Sequence, residues 1–111
     1  MFAIMRSITV TEGNSHQVVE RFNQAGILEE QPGFVDLNIM VKQTRKGEEE
    51  VVLLFRWESE EAWKNWEKSD AHVQGHRQKA GQTKPEYVVD STNAKYDIKA
   101  IKTGTSNITK S

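Results

Sequence analysis

The sequence predicts a single α+β domain in which helices cover one face of an antiparallel sheet. Two observations support this prediction. Apolar and polar residues alternate in several segments, which is typical of strands, and apolar residues recur at helical spacing in the segments between them. The length of 111 residues fits one domain, and neither an internal repeat nor a second domain is visible.

The first predicted strand has a charged residue on its apolar face. Alternate residues from Phe2 to Val10 are apolar, and Arg6 lies in the middle of this series. A guanidinium among aliphatic side chains is costly unless it has a partner or reaches water. A cavity beside the strand would provide for it. So would a side chain that reaches the strand edge and pairs with an acid such as Glu58 or Asp97. The sequence leaves both arrangements open.

Cap and turn signals follow the first strand. Asn14, with Gln17 three residues later, resembles a helix cap ahead of apolar residues at helical spacing. Pro32-Gly33 marks a turn, after which residues 34–41 alternate perfectly and predict a second strand. The run Lys46-Gly-Glu-Glu-Glu50 is expected to be a solvated hairpin loop.

The third predicted strand, Val51-Val-Leu-Leu-Phe55, is apolar on both faces. A sheet with helices on only one face would leave the other face of this strand in water. A second copy of the sheet is the simplest cover. The sequence therefore predicts a homodimer in which two sheets pack together.

The carboxyl-terminal half predicts a broken helix and a last strand. Ser59, followed by two glutamates, is a capped helix start, and Trp63 and Trp66 belong to this helix. Ser69-Asp70 resembles a second cap and predicts a further helical piece that includes His76. The last strand is indicated by the apolar residues Tyr87, Val88, Val89, Tyr96, Ile98 and Ala100.

The predicted order is strand, helix, strand, strand, broken helix, strand, which is that of a ferredoxin-like sandwich. The domain is expected to span residues 1–102, and the small, polar residues 103–111 are expected to form a flexible tail. This architecture hosts many unrelated activities, so function has to be argued from particular residues.

The composition excludes several classes of function. The chain contains no cysteine, which removes disulfides, thiolate metal sites and cysteine nucleophiles. A net charge of -1 with interspersed signs argues against nucleic acid as a partner. No apolar run approaches the roughly 20 residues of a spanning helix. The amino terminus does not resemble a signal peptide, so a cytoplasmic location without membrane association is expected.

Tryptophan and histidine are the candidates for chemistry. Trp63 and Trp66 lie at i, i+3 and are most simply core anchors of an amphipathic helix. His72 and His76 lie at i, i+4, but no glutamate of an HExxH pattern lies between them, and His16 opens a distant helix. A zinc site is therefore not expected. By spacing alone, a helical histidine is usually solvated or hydrogen-bonded.

Four short motifs are spread over most of the chain: Thr11-Glu-Gly13, Val18-Val-Glu-Arg-Phe22, Pro32-Gly-Phe34, and Trp66-Glu-Lys-Ser-Asp70 followed by His76. Together they resemble the antibiotic-biosynthesis-monooxygenase superfamily of dimeric α/β-barrel proteins, and within it the IsdG-type haem-degrading monooxygenases. In that family a Trp, a His and an Asn on the first strand form the site. Trp66 and His76 match by position and spacing, whereas Arg6 stands in place of the Asn.

The resemblance implies that haem is both substrate and cofactor, with His76 as the axial ligand of the iron. Trp66 would press on the porphyrin and force it out of plane. An external electron donor, either a reductase or a small reductant, would support opening of the ring by dioxygen to a bilin-type product and free iron. Because Arg6 departs from the family pattern, its role is a hypothesis from this sequence: it points into the haem pocket, where it donates a hydrogen bond near the dioxygen site or pairs with a propionate.

Two other functions fit the same residues. One is a cofactor-independent monooxygenase of the same superfamily that acts on a quinol or polyketide-like aromatic, whose pocket would also be apolar with few polar groups. The other is a non-catalytic haem-binding protein. A Soret band that shifts on addition of haem would distinguish haem binding from the first. Decay of that band with a reductant and oxygen would distinguish catalysis from the second.

Overall fold

A computed structural model describes residues 1–42, 47–69 and 85–104 of the chain. The elements, in order, are β1 (Phe2–Thr11), α1 (Ser15–Phe22), a short 3₁₀ turn (Leu28–Glu30), β2 (Phe34–Val41), β3 (Glu48–Trp57), α2 (Glu60–Lys68) and β4 (Val88–Asp97). The four strands form one sheet in the order β2-β3-β1-β4, and every neighbouring pair is antiparallel. The predicted ferredoxin-like α+β fold is confirmed.

The strand register assigns every residue to one of two sheet faces, because residues directly opposite each other share a face. Phe2 lies opposite Trp57 and Ile8 lies opposite Val51. This face is covered by the helices, and Arg6, opposite Leu53, belongs to it. The other face, which we call the open face, carries Ala3, Met5, Ser7, Thr9, Met40, Val52, Leu54, Ala94 and Tyr96.

The helix-covered face is packed in two separate places. Under α1, a core cluster of fully buried side chains consists of Ile8, Val10, Val18, Val51 and Leu53. At the opposite end of the sheet, Phe2 and Trp57 are buried, and the rings of Trp63 and Phe34 pack against them. The two helices therefore cover opposite ends of the same face.

The start of α1 differs from the predicted cap. Asn14 holds the N-cap position, but its side chain accepts no backbone hydrogen bond from the helix and instead contacts Thr11 and Gln17. The carboxylate of Glu49 accepts the backbone N–H of Ser15 at 3.0 Å, and these bonds lower the pKa of that carboxyl. The prediction that residues 46–50 are only a solvated loop was wrong for Glu48–Glu50, because β3 begins at Glu48 and Glu49 also caps α1.

The start of α2 agrees with the prediction. Ser59 Oγ accepts the backbone N–H of Ala62 at 3.1 Å. The turn before β2 docks against this helix end, since Glu58 N donates to the carbonyl of Gly33 at 2.7 Å. Gly33 has a φ of +82°, and a Cβ built on it would lie 2.5 Å from the Cβ of Ala62. Only glycine allows this close approach.

Two details of the strands differ from the predictions. β4 ends at Asp97, so Ile98 and Ala100 lie beyond the last strand instead of within it. The perfect alternation predicted for β2 is interrupted, because the register shifts between Phe34 and Asp36. The predicted helical piece after Ser69-Asp70, with His76, and most of the predicted tail lie outside the described residues.

Across the three described segments, no helix has the length and apolar character needed to cross a membrane.

Candidate active site

The helix-covered face has an incompletely covered row between its two packed ends. Ile4 and Phe55 lie directly opposite each other on β1 and β3, and both are half-buried. Of the residues two positions away along the strands, Phe2 is 4% exposed, Leu53 is 0% exposed and Trp57 is 1% exposed. An apolar strip that neither helix fully covers can contact a flat apolar ligand.

Arg6 borders this row on β1. Its side chain is half-buried, Nε donates to Ser91 Oγ at 3.4 Å, and Cζ lies 5.8 Å from the centre of the Phe22 ring. Burial lowers the pKa of Arg6 from its ordinary value, and the nearby positive charge of Arg21 lowers it further.

Arg6 forms no ion pair with an acidic side chain in the described parts of the chain. In particular, neither Glu58 nor Asp97, the two acids considered from the sequence, is its partner. The alternative of a surface ion pair at the strand edge is therefore not the arrangement found. A half-buried cation beside an apolar strip remains available for an anionic or hydrogen-bond-accepting group of a ligand.

The two tryptophans of α2 have different surroundings. Trp63 is half-buried, its ring packs on that of Phe2 with centroids 5.4 Å apart, and Lys95 Nζ lies 4.6 Å from the centre of the Trp63 ring. Trp63 therefore packs against the buried end of the sheet. Trp66 is half-buried and borders a cleft of roughly 300 Å³. The other lining residues of this cleft are Gln31, Pro32, Gly33, Glu58, Ser59, Glu61, Ala62 and Asn65.

The structure places Arg6 on the helix-covered face and Trp66 on α2, which contacts β3. The cleft that Trp66 borders is lined by the turn before β2 and by α2, and its described lining residues do not include Arg6, Ile4 or Phe55. His76 lies outside the described residues. Within those residues, no group of His, Cys, Asp or Glu side chains could hold a metal ion.

Phe22 and Ser91 are two further residues at the site whose contact with Arg6 the sequence did not predict. Phe22 was recognisable only as an apolar residue of α1. Ser91 lies on β4 opposite Ile8, and nothing in the local sequence indicates that it accepts a bond from Arg6. Such contacts depend on the strand register, which local sequence patterns do not provide.

Comparisons with known proteins agree with this fold. Residues 1–78 match the model of the antibiotic biosynthesis monooxygenase family. The chain therefore belongs to the antibiotic biosynthesis monooxygenase family, as the sequence motifs predicted.

Individual relatives place the chain more closely within that family. It is 47% identical to the heme-degrading monooxygenase HmoA of Bacillus subtilis over 96% of this chain and 99% of that protein. A crystal structure of a Bacillus cereus protein, solved under the same family description, superposes with a TM-score of 0.81 at 45% identity over 93% of this chain and 97% of the other. The heme-degrader MhuD of Mycobacterium tuberculosis shares the fold, with a TM-score of 0.64 at 24% identity over 94% and 100%.

Proposed function

We propose that this protein is a haem-degrading monooxygenase that opens the porphyrin ring with dioxygen and an external reductant, releasing iron and a bilin-type product. The observation that carries the proposal is the 47% identity, over nearly the whole of both chains, to a relative named as a heme-degrading monooxygenase. The site on the helix-covered face supports it independently through its shape and charge.

The described residues fit a haem molecule. Haem is flat and largely apolar, with two carboxylates on one edge, so it needs an apolar surface and a nearby cation. The half-buried pair Ile4 and Phe55 supplies the apolar surface. Arg6 supplies the cation, and no acidic side chain in the described segments forms an ion pair with it. Bound haem supplies a redox-active iron, and a reductase or a small reductant supplies electrons from outside.

Three residues are assigned roles in this proposal. His76 would hold haem through a neutral imidazole nitrogen bound to the iron. Trp66 would contact the porphyrin with its indole and influence where oxidation occurs. Arg6 would donate hydrogen bonds to a polar group of the bound molecule, at the position where the family resemblance implies an Asn.

The open face of the sheet supports the proposal of a homodimer. Met5, Val52 and Leu54 on this face are only half-buried within one chain, and Met40 and Tyr96 are 43% and 50% exposed. A second copy packed on this face would remove that apolar surface from water. Cytoplasmic reductants would serve such an enzyme, and we place it in that compartment.

The proposal is tested by titrating the purified protein with ferric haem and recording the visible spectrum, beside His76→Ala. We expect a shifted Soret band that requires His76, and its decay once ascorbate is added under air. Arg6→Ala is expected to weaken binding or turnover, and Arg6→Asn will establish whether the two residue types are interchangeable. An unchanged Arg6→Ala protein would exclude a role for Arg6 in the pocket.

The same titration distinguishes the alternatives. If no haem binds, the resemblance ends at the fold, and a cofactor-independent monooxygenase of an aromatic substrate becomes the better assignment. If haem binds stoichiometrically but the Soret band survives reductant and oxygen, the protein binds haem without degrading it. Gel filtration at the same protein concentration tests the dimer, and a monomeric mass would contradict it.

A further inference from the structure

Two arginines lie against one aromatic ring beside the half-buried row. The guanidinium carbon of Arg6 is 5.8 Å from the centre of the Phe22 ring, and that of Arg21 is 5.6 Å from it. Arg6 is half-buried on β1, whereas Arg21 is exposed in the last turn of α1. Two guanidinium groups thus lie near one aromatic ring where β1 and α1 meet, which concentrates positive charge there.

The described segments provide little negative charge to offset the two guanidinium groups. Neither arginine forms an ion pair there, and the single hydrogen bond found for Arg6 uses Nε, which leaves its terminal nitrogens to other partners. Arg21 lies near the carboxyl end of α1, where the helix carries about half of a negative charge. That partial charge is smaller than the charge of the two guanidinium groups, so the cluster stays positive and would attract an anionic ligand. A ligand with two carboxylates could contact both arginines.

The direction of the Arg6 side chain places the cluster of Arg6, Arg21 and Phe22 next to the apolar row of Ile4 and Phe55 instead of within it. Arg6 lies opposite Asn93 on β4, yet its Nε reaches Ser91, which lies opposite Ile8. The guanidinium is therefore directed away from Ile4 and towards the exposed β4 edge. An apolar ring over Ile4 would have its polar edge near the guanidinium.

We propose that Arg6, Arg21 and Phe22 form a carboxylate site that holds the two propionates of haem on the β4 side of the half-buried row. This inference rests on the proposed function and assigns the cation of Arg6 to the propionate edge, instead of to the dioxygen site. Arg6 and Arg21 supply planar donors that match a carboxylate, and their guanidinium carbons lie 5.8 Å and 5.6 Å from the centre of the Phe22 ring. The site selects a porphyrin diacid over its uncharged diester.

The test compares the binding of ferric protoporphyrin with that of its dimethyl ester. Binding is measured by the shift of the Soret band in the absence of reductant. Both molecules present the same iron and ring, so their difference reports the carboxylates alone. Wild type is expected to bind the diacid more tightly. Arg6→Gln is expected to weaken diacid binding by about tenfold, since charged hydrogen bonds in partly buried positions are worth most. Arg21→Gln is expected to weaken it by about two- to fivefold, because the position is exposed.

Ester binding should be nearly the same in wild type and both variants. The matched control, Lys99→Gln, removes one positive charge from an exposed position beyond β4 and should leave the preference unchanged. Rising salt should reduce the preference in wild type more than in Arg21→Gln.

Two failures are distinguishable in this experiment. Equal binding of diacid and diester to wild type, or a preference that survives both arginine variants, would overturn the carboxylate site and leave the haem assignment intact. Failure of both molecules to bind wild type would overturn the carboxylate site together with the proposed function.

Discussion

Gly33 is the position where one added methyl group is expected to cost most. The turn that contains it docks on α2, the helix that carries Trp66. A Cβ at Gly33 would lie 2.5 Å from Ala62 Cβ, and the backbone φ is +82°. A left-handed conformation costs an L-residue about 1–2 kcal/mol, and overpacking costs about 1–3 kcal/mol. Gly33→Ala should therefore lower the free energy of unfolding by about 2–5 kcal/mol.

Two other glycines separate the contributions. Gly13 has a φ of +87° but no heavy atom within 4 Å of an added Cβ, so Gly13→Ala should show the conformational cost alone. Gly26 has open space around it and no positive φ, so Gly26→Ala should be close to neutral. The excess cost of Gly33→Ala over Gly13→Ala measures the steric contact with Ala62.

Urea unfolding followed by circular dichroism, at one fixed protein concentration, gives these free energies. The double variant Gly33→Ala/Ala62→Gly removes the contact but retains the left-handed φ. A double-mutant cycle should therefore show a favourable coupling of about 1–3 kcal/mol. If Gly33→Ala cost no more than Gly13→Ala, or if the coupling were zero, the turn would not dock on α2 as described.

Three further predictions address the helices and the site. Ser59→Ala should lower the free energy of unfolding by about 1 kcal/mol through loss of the α2 cap, measured by the same urea method. The bond from Ser15 to Glu49 lowers the pKa of that carboxyl in the folded state. The stabilisation from this bond is therefore fully present above the pKa of the unfolded-state carboxyl, about 4.3. It is lost as the pH falls through the lower pKa of Glu49 in the folded state. Glu49→Gln should accordingly flatten the acid limb of a stability-against-pH curve, and an unchanged limb would contradict the cap. Trp63→Leu should destabilise the fold by about 1–3 kcal/mol, whereas Trp66→Leu should mainly change haem turnover; a larger loss of stability from Trp66→Leu would reverse these assignments.

The order of elements could be predicted from the sequence because local patterns are strong in this chain. Alternation in β1 and helical spacing in α1 and α2 act over a few residues and survive in the folded chain. Ser59 was correctly predicted as a cap because its partner, Ala62, is only three residues away. By contrast, Glu49 caps α1 from β3, and no local pattern indicates a partner 34 residues distant.

The site was predictable in part. The conflict between a charge and an apolar strand face identified Arg6 from the sequence alone, and the structure shows that face to be incompletely covered at Ile4. The contacts of Arg6 with Phe22 and Ser91 depend on the packing of α1 and the register of β4. Those are tertiary properties, and composition or periodicity cannot supply them.

The most direct test of the central claim is a single-turnover reaction of the protein loaded with one equivalent of ferric haem. Ascorbate is added under air with catalase present, so that free peroxide cannot destroy the ring, and the Soret band and chelatable iron are followed together. We predict that the band disappears and that about one iron is released per haem. In His76→Ala we expect neither loss of the band nor release of iron. A Soret band that persists, or one whose loss is abolished by catalase, would contradict the assignment as a haem-degrading monooxygenase.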